Sequence, residues 1–153
     1  MPDVDDPAPD FTLPQSNGDP ISLSDLRGQT VVLFFYPRDD TPGCTRESIG
    51  FSEQRQAFSD AGAVVFGISK DGISSHEKFS AKHGLEVALL SDENGTVCED
   101  YGVWKEKKMY GKTFMGIERT TVLIGKDGRI ARIWPKVKVP GHVDEVLEAV
   151  RQS

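Results

Sequence analysis

A chain of 153 residues, 37% apolar and 27% charged, is long enough for one solid core and too apolar for a disordered protein. Its net charge of -6 argues against the dominant basic surface that nucleic-acid binding requires, and no stretch approaches the ~20 apolar residues of a membrane helix. Two cysteines, Cys44 and Cys98, are too few for a disulfide-built secreted fold.

The opening ten residues are acidic and proline-rich, without the basic flank and apolar segment of a signal peptide. The expectation is therefore a cytoplasmic protein with no membrane partner, whose cysteines are separate reduced thiols. No repeat, low-complexity tract or linker interrupts the chain, so a single domain over 1–153 is expected. In chain order, the apolar segments 11–13 and 21–23 flank the turn signal Asn17-Gly18, which predicts a short hairpin. Residues 24–28 read as a brief turn or helical piece. The run 30–36 is apolar, β-branched and aromatic, as in a strand buried on both faces, and Pro37 stops it.

From 44 to 61 the composition is helical, with Phe51 and Phe58 on one face and Gly62 as the stop. Residues 63–69 predict a second buried strand, 74–83 a polar-faced helix ended by Gly84, 87–90 a strand and 96–101 a short helix. The basic, glycine-containing segment 104–118 reads as a long loop. Two strands at 119–124 and 129–134 are joined by a Lys126-Asp127-Gly128 turn. A helix over 143–150 closes the chain, with Val143, Val146, Leu147 and Val150 on one side. Alternating strands and helices, then a hairpin and a last helix, predict an α/β fold with helices packed on a central sheet. The pattern is compatible with a thioredoxin-like fold.

The chemistry concentrates in Pro37-Arg38-Asp39-Asp40-Thr41-Pro42-Gly43-Cys44-Thr45. A buried strand ends, a turn follows, and a cysteine opens a helix. Unpaired N–H groups and the positive end of the helix dipole favour a thiolate there over a neutral thiol. Thr41 offers a hydroxyl to the sulfur or to a bound small molecule, Pro37 and Pro42 stiffen and shield the turn, and Gly43 allows close approach of a small substrate. A lone cysteine near a helix start is more often a packed small residue. The neighbouring Pro, Thr and Gly, and the position after a central strand, favour chemistry here.

Pro37-X-X-X-Thr41-X-X-Cys44 resembles the active-site motif of peroxiredoxins, and Thr41-Pro42-Gly43-Cys44-Thr45-Arg46-Glu47 resembles the bacterioferritin comigratory protein, or PrxQ, subgroup. The resemblance spans nearly the whole chain, through Ala8-Pro9-Asp10-Phe11, Leu90-Ser91-Asp92, Tyr101-Gly102-Val103, Met109-Tyr110-Gly111-Lys112 and Gly116-Ile117-Glu118-Arg119-Thr120-Thr121. It implies a thioredoxin-like fold with a central mixed sheet, an N-terminal β-hairpin and a monomeric state. It also implies reduction of hydrogen peroxide and organic hydroperoxides without metal or organic cofactor. Cys44 would be the peroxidatic nucleophile, Thr41 and Arg119 would hydrogen-bond the peroxide oxygens, and Pro37 would wall off the pocket. Glu47 would either hold Arg119 or remain a solvated first-turn carboxylate.

The sequence departs from that pattern at the resolving cysteine. Many relatives carry it five residues after the first, where this chain has Ile49, and others carry it in the 74–83 helix, which has none. Cys98 remains, and as a free cysteine it reads as a buried small hydrophobe. The expectation is a one-cysteine cycle in which an external thiol, of the thioredoxin or glutathione/glutaredoxin type, resolves the oxidised Cys44. An atypical two-cysteine cycle through Cys98 is the rival mechanism. A peroxide sensor without efficient turnover, or an inert binding module, is the rival function.

Among the remaining residues, His76, His83 and His142 show no metal-ligand spacing and read as surface residues. Asp39 and Asp40 read as solvated turn acids. The four lysines of 105–112 read as part of a mobile loop, with reductant docking as a weaker use. Phe35, Tyr36 and Trp134 are expected to pack. The absence of a Cys-X-X-Cys pair disfavours a disulfide reductase.

Overall fold

The computed structural model describes residues 2–16 and 18–153; of the Asn17-Gly18 turn signal, Asn17 lies outside the described residues. The strands it flanks, β1 (Thr12–Gln15) and β2 (Gly18–Ser22), form the expected antiparallel hairpin, and a 3-10 turn over Leu23–Leu26 follows. The chain then runs β3 (Thr30–Phe35), α1 (Pro42–Glu53), α2 (Arg55–Asp60), β4 (Ala63–Ser69), α3 (Ile73–His83), β5 (Ala88–Ser91) and α4 (Val97–Asp100). It ends with β6 (Trp104–Met109), β7 (Lys112–Ile117), β8 (Thr120–Ile124), β9 (Ile130–Trp134) and α5 (His142–Arg151).

Among the described residues, seven strands share one mixed sheet in the order β2-β1-β5-β4-β3-β8-β9. β3, β4 and β5 are mutually parallel, while β8 lies antiparallel to β3 and β9 antiparallel to β8. All six residues of β3 are buried because both faces of the central strand are covered. Side chains alternate across it. Val31, Leu33 and Phe35 join one apolar cluster with Leu90, Val97, Cys98, Tyr101 and Ile117. Val32, Phe34 and Tyr36 join another with Cys44, Phe51, Phe58, Phe79 and Val146. The strand period of two thus places α4 on one face of the sheet and α1, α2, α3 and α5 on the other.

Two expectations need correction. The helical segment after Cys44 is broken at Gln54 into α1 and α2, yet Phe51 and Phe58 still meet on one face, their rings 5.8 Å apart. The segment 104–118 is not a loop. β6 and β7 pair antiparallel from Trp104↔Ile117 to Met109↔Lys112. The link between them is Tyr110-Gly111, both with positive φ (54° and 75°), as a tight two-residue hairpin turn requires. Charged side chains are tolerated along this ribbon because most of it faces solvent.

The parallel core leaves no spare volume at Gly67 in β4. A Cβ there would lie 2.6 Å from Phe34 Cζ and 2.9 Å from Leu89 Cδ2. We predict that Gly67→Ala lowers unfolding free energy in urea by about 1–3 kcal/mol through overpacking; an unchanged midpoint would show that the neighbouring rings relax freely.

Candidate active site

The loop after β3 delivers Cys44 to the third position of α1. Thr41 is the N-cap in extended conformation (φ -97°, ψ 154°) and Pro42 is the first helical residue, where the missing N–H costs nothing. Cys44 is 1% exposed and packs among the apolar side chains of its sheet face. Its polar neighbour comes from 75 residues further along the chain. Arg119, immediately before β8, donates from Nη2 to Cys44 Sγ at 3.3 Å and from Nη1 to Glu47 Oε1 at 2.7 Å. The antiparallel register Phe35↔Thr120 brings these segments together, because the strand before Cys44 and the strand after Arg119 end side by side.

The electrostatics follow from this burial. Glu47 is fully buried, and its Oε2 has no hydrogen-bond partner among the described residues. Burial pushes its carboxyl up from 4.5 to about 7, against the opposing pull of Arg119. For Arg119, burial works against the charge, but Glu47 and then Cys44 outweigh it and hold the guanidinium firmly protonated. The solvated reading of Glu47 is thereby set aside; it is buried and paired with Arg119.

Gly43 serves the arginine. A Cβ at that position would sit 3.1 Å from Arg119 Nη2, so glycine lets the guanidinium lie against the first turn of α1. Thr41, half-buried, donates its hydroxyl to the Arg38 carbonyl at 3.0 Å rather than to the sulfur, which leaves its lone pairs free to accept. Pro37 is half-buried at the exit of β3. Lys107, on β6, is a site neighbour not singled out individually by sequence reasoning. Burial and then the charge of Arg119 push its ammonium below the usual lysine range, with Cys44 pulling the other way. The Tyr110-Gly111 turn signal was the available clue that this lysine belongs to a folded hairpin.

Cys98 is not part of the constellation. It is fully buried on the other face of the sheet from Cys44. Burial, followed by the nearby Asp92 carboxylate, pushes its thiol far above the usual cysteine range, which keeps it neutral and poorly nucleophilic. Asp92 itself accepts from the amides of Val97 and Cys98 and pairs with Lys70 at 3.1 Å.

The histidines are not surface residues as a group. His76 is fully buried, and His83 is partly covered beside Asp40. His142 is packed edge-on to Phe51 and Trp134, with Nε2 2.8 Å from Thr121 Oγ1. Burial lowers His142 from 6.5 to about 4, so it stays neutral near pH 7. Nor is Asp39 solvated. It is buried, accepting from the Tyr36 hydroxyl and facing His76 on α3, while Asp40 does face solvent. Phe35, Tyr36 and Trp134 pack as expected.

Residues 4–133 match the AhpC/TSA family. The chain is 53% identical to a putative peroxiredoxin bcp of Coxiella burnetii over 145 residues, covering 95% of this chain and 96% of that one. It is 45% identical to peroxiredoxin Bcp of Bacillus subtilis, with 94% and 92% covered. The solved structure of Xanthomonas campestris bacterioferritin comigratory protein, from work on its alkyl peroxide reduction activity, superposes with a TM-score of 0.88. That protein is 42% identical, with 93% of this chain and 90% of that chain covered. The protein therefore belongs to the AhpC/TSA family, in its peroxiredoxin Bcp (PrxQ) branch, with a thioredoxin-like fold. It is a thiol-dependent peroxidase.

The close approach at Gly43 yields a test. Gly43→Ala should displace the Arg119 guanidinium by a few tenths of an ångström and lower kcat/KM for peroxide roughly tenfold, with little change in melting temperature. Unaltered kcat/KM would mean that the arginine position is not set by this contact.

Proposed function

We propose that Cys44 reduces hydrogen peroxide and organic hydroperoxides by a one-cysteine cycle completed by external thiols. The observation that carries the reading is the 3.3 Å contact between Arg119 Nη2 and Cys44 Sγ, a guanidinium placed against the sulfur in a largely apolar surround. A packed structural cysteine needs no such donor.

In the first step the Cys44 thiolate attacks the terminal oxygen of ROOH. An S–O bond forms, the O–O bond breaks, and the alkoxide leaves and takes up a proton as ROH. Sulfur loses two electrons and becomes a sulfenic acid. Arg119 donates to the oxygens as negative charge grows on the leaving one. Thr41, with its hydrogen given to Arg38, accepts from the hydroxyl of the incoming peroxide. Pro37 and the first turn of α1 shield the site from water. A first thiol then converts Cys44–SOH to a mixed disulfide and water, and a second releases Cys44 by exchange.

The reductant is a thiol of the thioredoxin or glutathione/glutaredoxin type, and the setting is the reduced cytoplasm, where the protein acts as a monomer. The β6–β7 hairpin suits the docking of such a protein. It carries four lysines on a chain of net charge -6 and exposes Met109, Tyr110, Phe114 and Met115. Against the two-cysteine alternative stands the placement of Cys98 on the opposite sheet face, because a disulfide needs Cα atoms within about 7 Å.

Mass spectrometry of the protein treated with one equivalent of peroxide separates these readings. A dimedone-trapped sulfenic acid on Cys44, lost in Cys44→Ser and retained in Cys98→Ser, is expected. A Cys44–Cys98 linked peptide would contradict the one-cysteine cycle, and a single oxidation without turnover in the presence of reductant would favour the sensor.

Glu47 sets the pH response. Above about pH 7 it is ionised and holds Arg119; below, it is neutral and the pair weakens. The rate of Cys44 oxidation is expected to rise through about pH 7, and Glu47→Gln should remove that step. Stability moves the other way. The folded-state value of Glu47 is raised, so its contribution is fully present below 4.5 and is lost as pH rises through about 7. An identical rate profile in wild type and Glu47→Gln would dismiss this role.

A further inference from the structure

The loop over residues 37–41 is tied to α3 twice, by neighbouring acids that face opposite ways. On the outside, Asp40 meets Lys82 at 2.7 Å and His83 at 2.9 Å, exposed pairs of the kind that contribute little. On the inside, Asp39 is a hub. Its Oδ1 accepts from the Tyr36 hydroxyl at 2.6 Å, and its Oδ2 accepts from Ser75 Oγ at 2.8 Å and faces His76 Nδ1 at 2.7 Å. Its amide donates to Asp71 Oδ2 at 2.8 Å, and that oxygen also accepts from Ser69 Oγ at 2.7 Å. The end of β3 and the first turn of α3 therefore meet the carboxylate of Asp39, five residues before Cys44, while the end of β4 reaches its amide through Asp71.

The proton inventory of His76 makes this a strong tie. Its Nε2 lies 2.9 Å from the Leu90 carbonyl oxygen, which can only accept, so Nε2 carries a hydrogen. A further proton must then sit between Nδ1 and Asp39 Oδ2, on one or the other. Asp39, Asp71 and His76 bring ligand-type atoms within 4.8 Å of one another. However, 2.7 Å is a hydrogen-bond separation, shorter than the roughly 3.3 Å between two ligands on a tetrahedral zinc ion. Both members are buried, His76 completely, so losing one partner strands the other.

This matters because Cys44 is 1% exposed. The sulfur of a protein thiol cannot reach Cys44 Sγ, so covered, until the loop and the first turn of α1 move. We infer that the Asp39–His76 bond is the latch that holds the loop on α3 and thereby sets how often Cys44 is presented to bulky thiols. Asp39, His76 and Tyr36 are positioning residues and touch neither substrate nor sulfur. The latch gates the step Cys44–SOH + RSH → Cys44–S–SR + H₂O, in which RSH belongs to a protein dithiol. Its relevance to turnover rests on the proposed cycle, whereas the opening it controls does not.

The test uses the full chain in a Cys98→Ser background, so that Cys44 is the one thiol. Labelling by a bulky maleimide reports opening, and oxidation by hydrogen peroxide, followed in parallel, reports the closed site. Asp39→Asn should accelerate labelling roughly tenfold or more while slowing peroxide oxidation, since the two need opposite states of the loop. Tyr36→Phe, which keeps the ring and removes one donor, should give a smaller change in the same two directions and serves if the Asp39 variant does not fold. Asp40→Asn, on the exposed tie, should leave labelling at the wild-type rate.

Gly67→Ala supplies a variant destabilised away from the loop. Equal acceleration of labelling there, at matched stability, would reduce the effect to global loosening and overturn the latch. Wild-type labelling rates in both folded Asp39→Asn and Tyr36→Phe would overturn it as well. Faster labelling of Asp39→Asn, where the parent with Asp39 intact shows no turnover of peroxide with external thiols, would sustain the latch and refute the proposed cycle alone.

Discussion

A guanidinium shared between a sulfur and a buried carboxylate is the arrangement on which the rest of this site depends. Arg119 reaches Cys44 with one nitrogen and Glu47 with the other, and its side chain is 16% exposed. Each charge would be costly alone in this apolar surround, since burial disfavours an isolated ion by several kcal/mol. Paired at 2.7 Å, Arg119 and Glu47 offset part of that cost. The two-pronged fork also orients the arginine, because a planar group held at one nitrogen has little freedom at the other. In the proposed reaction the donors would be in place before any substrate arrives, so that no reorganisation is needed as the O–O bond breaks.

The sheet explains why such distant residues meet and why the two thiols do not. β3 and β8 run antiparallel, so the exit of one strand lies beside the entrance of the other, and Cys44 and Arg119 follow from that register. The alternation along β3 then divides the interior into two apolar clusters, with Cys44 in one and Cys98 in the other. The same backbone period that builds the core therefore keeps Cys98 away from the chemistry. In the proposed cycle the thiol that resolves Cys44 comes from outside, and the loop that leads into its helix becomes the element that controls access.

Most of the architecture was legible because the buried strands carry their own signature. The run 63–69 is apolar and β-branched and coincides with β4, and the αL glycine Gly84 marks the end of α3 as its position suggested. The site was legible through the residues around Cys44 and their agreement with Arg119. What escaped were features whose cause is tertiary. Lys105, Lys107 and Lys108 read as loop residues because a solvent-facing ribbon needs no apolar alternation, and only Tyr110-Gly111 betrays the turn. Asp39 and His76 each read as surface residues. Their burial depends on meeting one another across 37 positions, a distance at which no local pattern speaks. His142 hides among Phe51, Thr121 and Trp134 for the same reason.

Whether the fork of Arg119 orients and stabilises the reacting oxygens at Cys44 is decided by stopped-flow oxidation of Arg119→Lys with hydrogen peroxide. Lysine keeps the charge and loses the second nitrogen. An orienting fork requires a fall of roughly 10²–10³-fold in the rate of Cys44 oxidation on this substitution. A rate within a factor of about two of the wild type would mean that positive charge alone suffices and would contradict it.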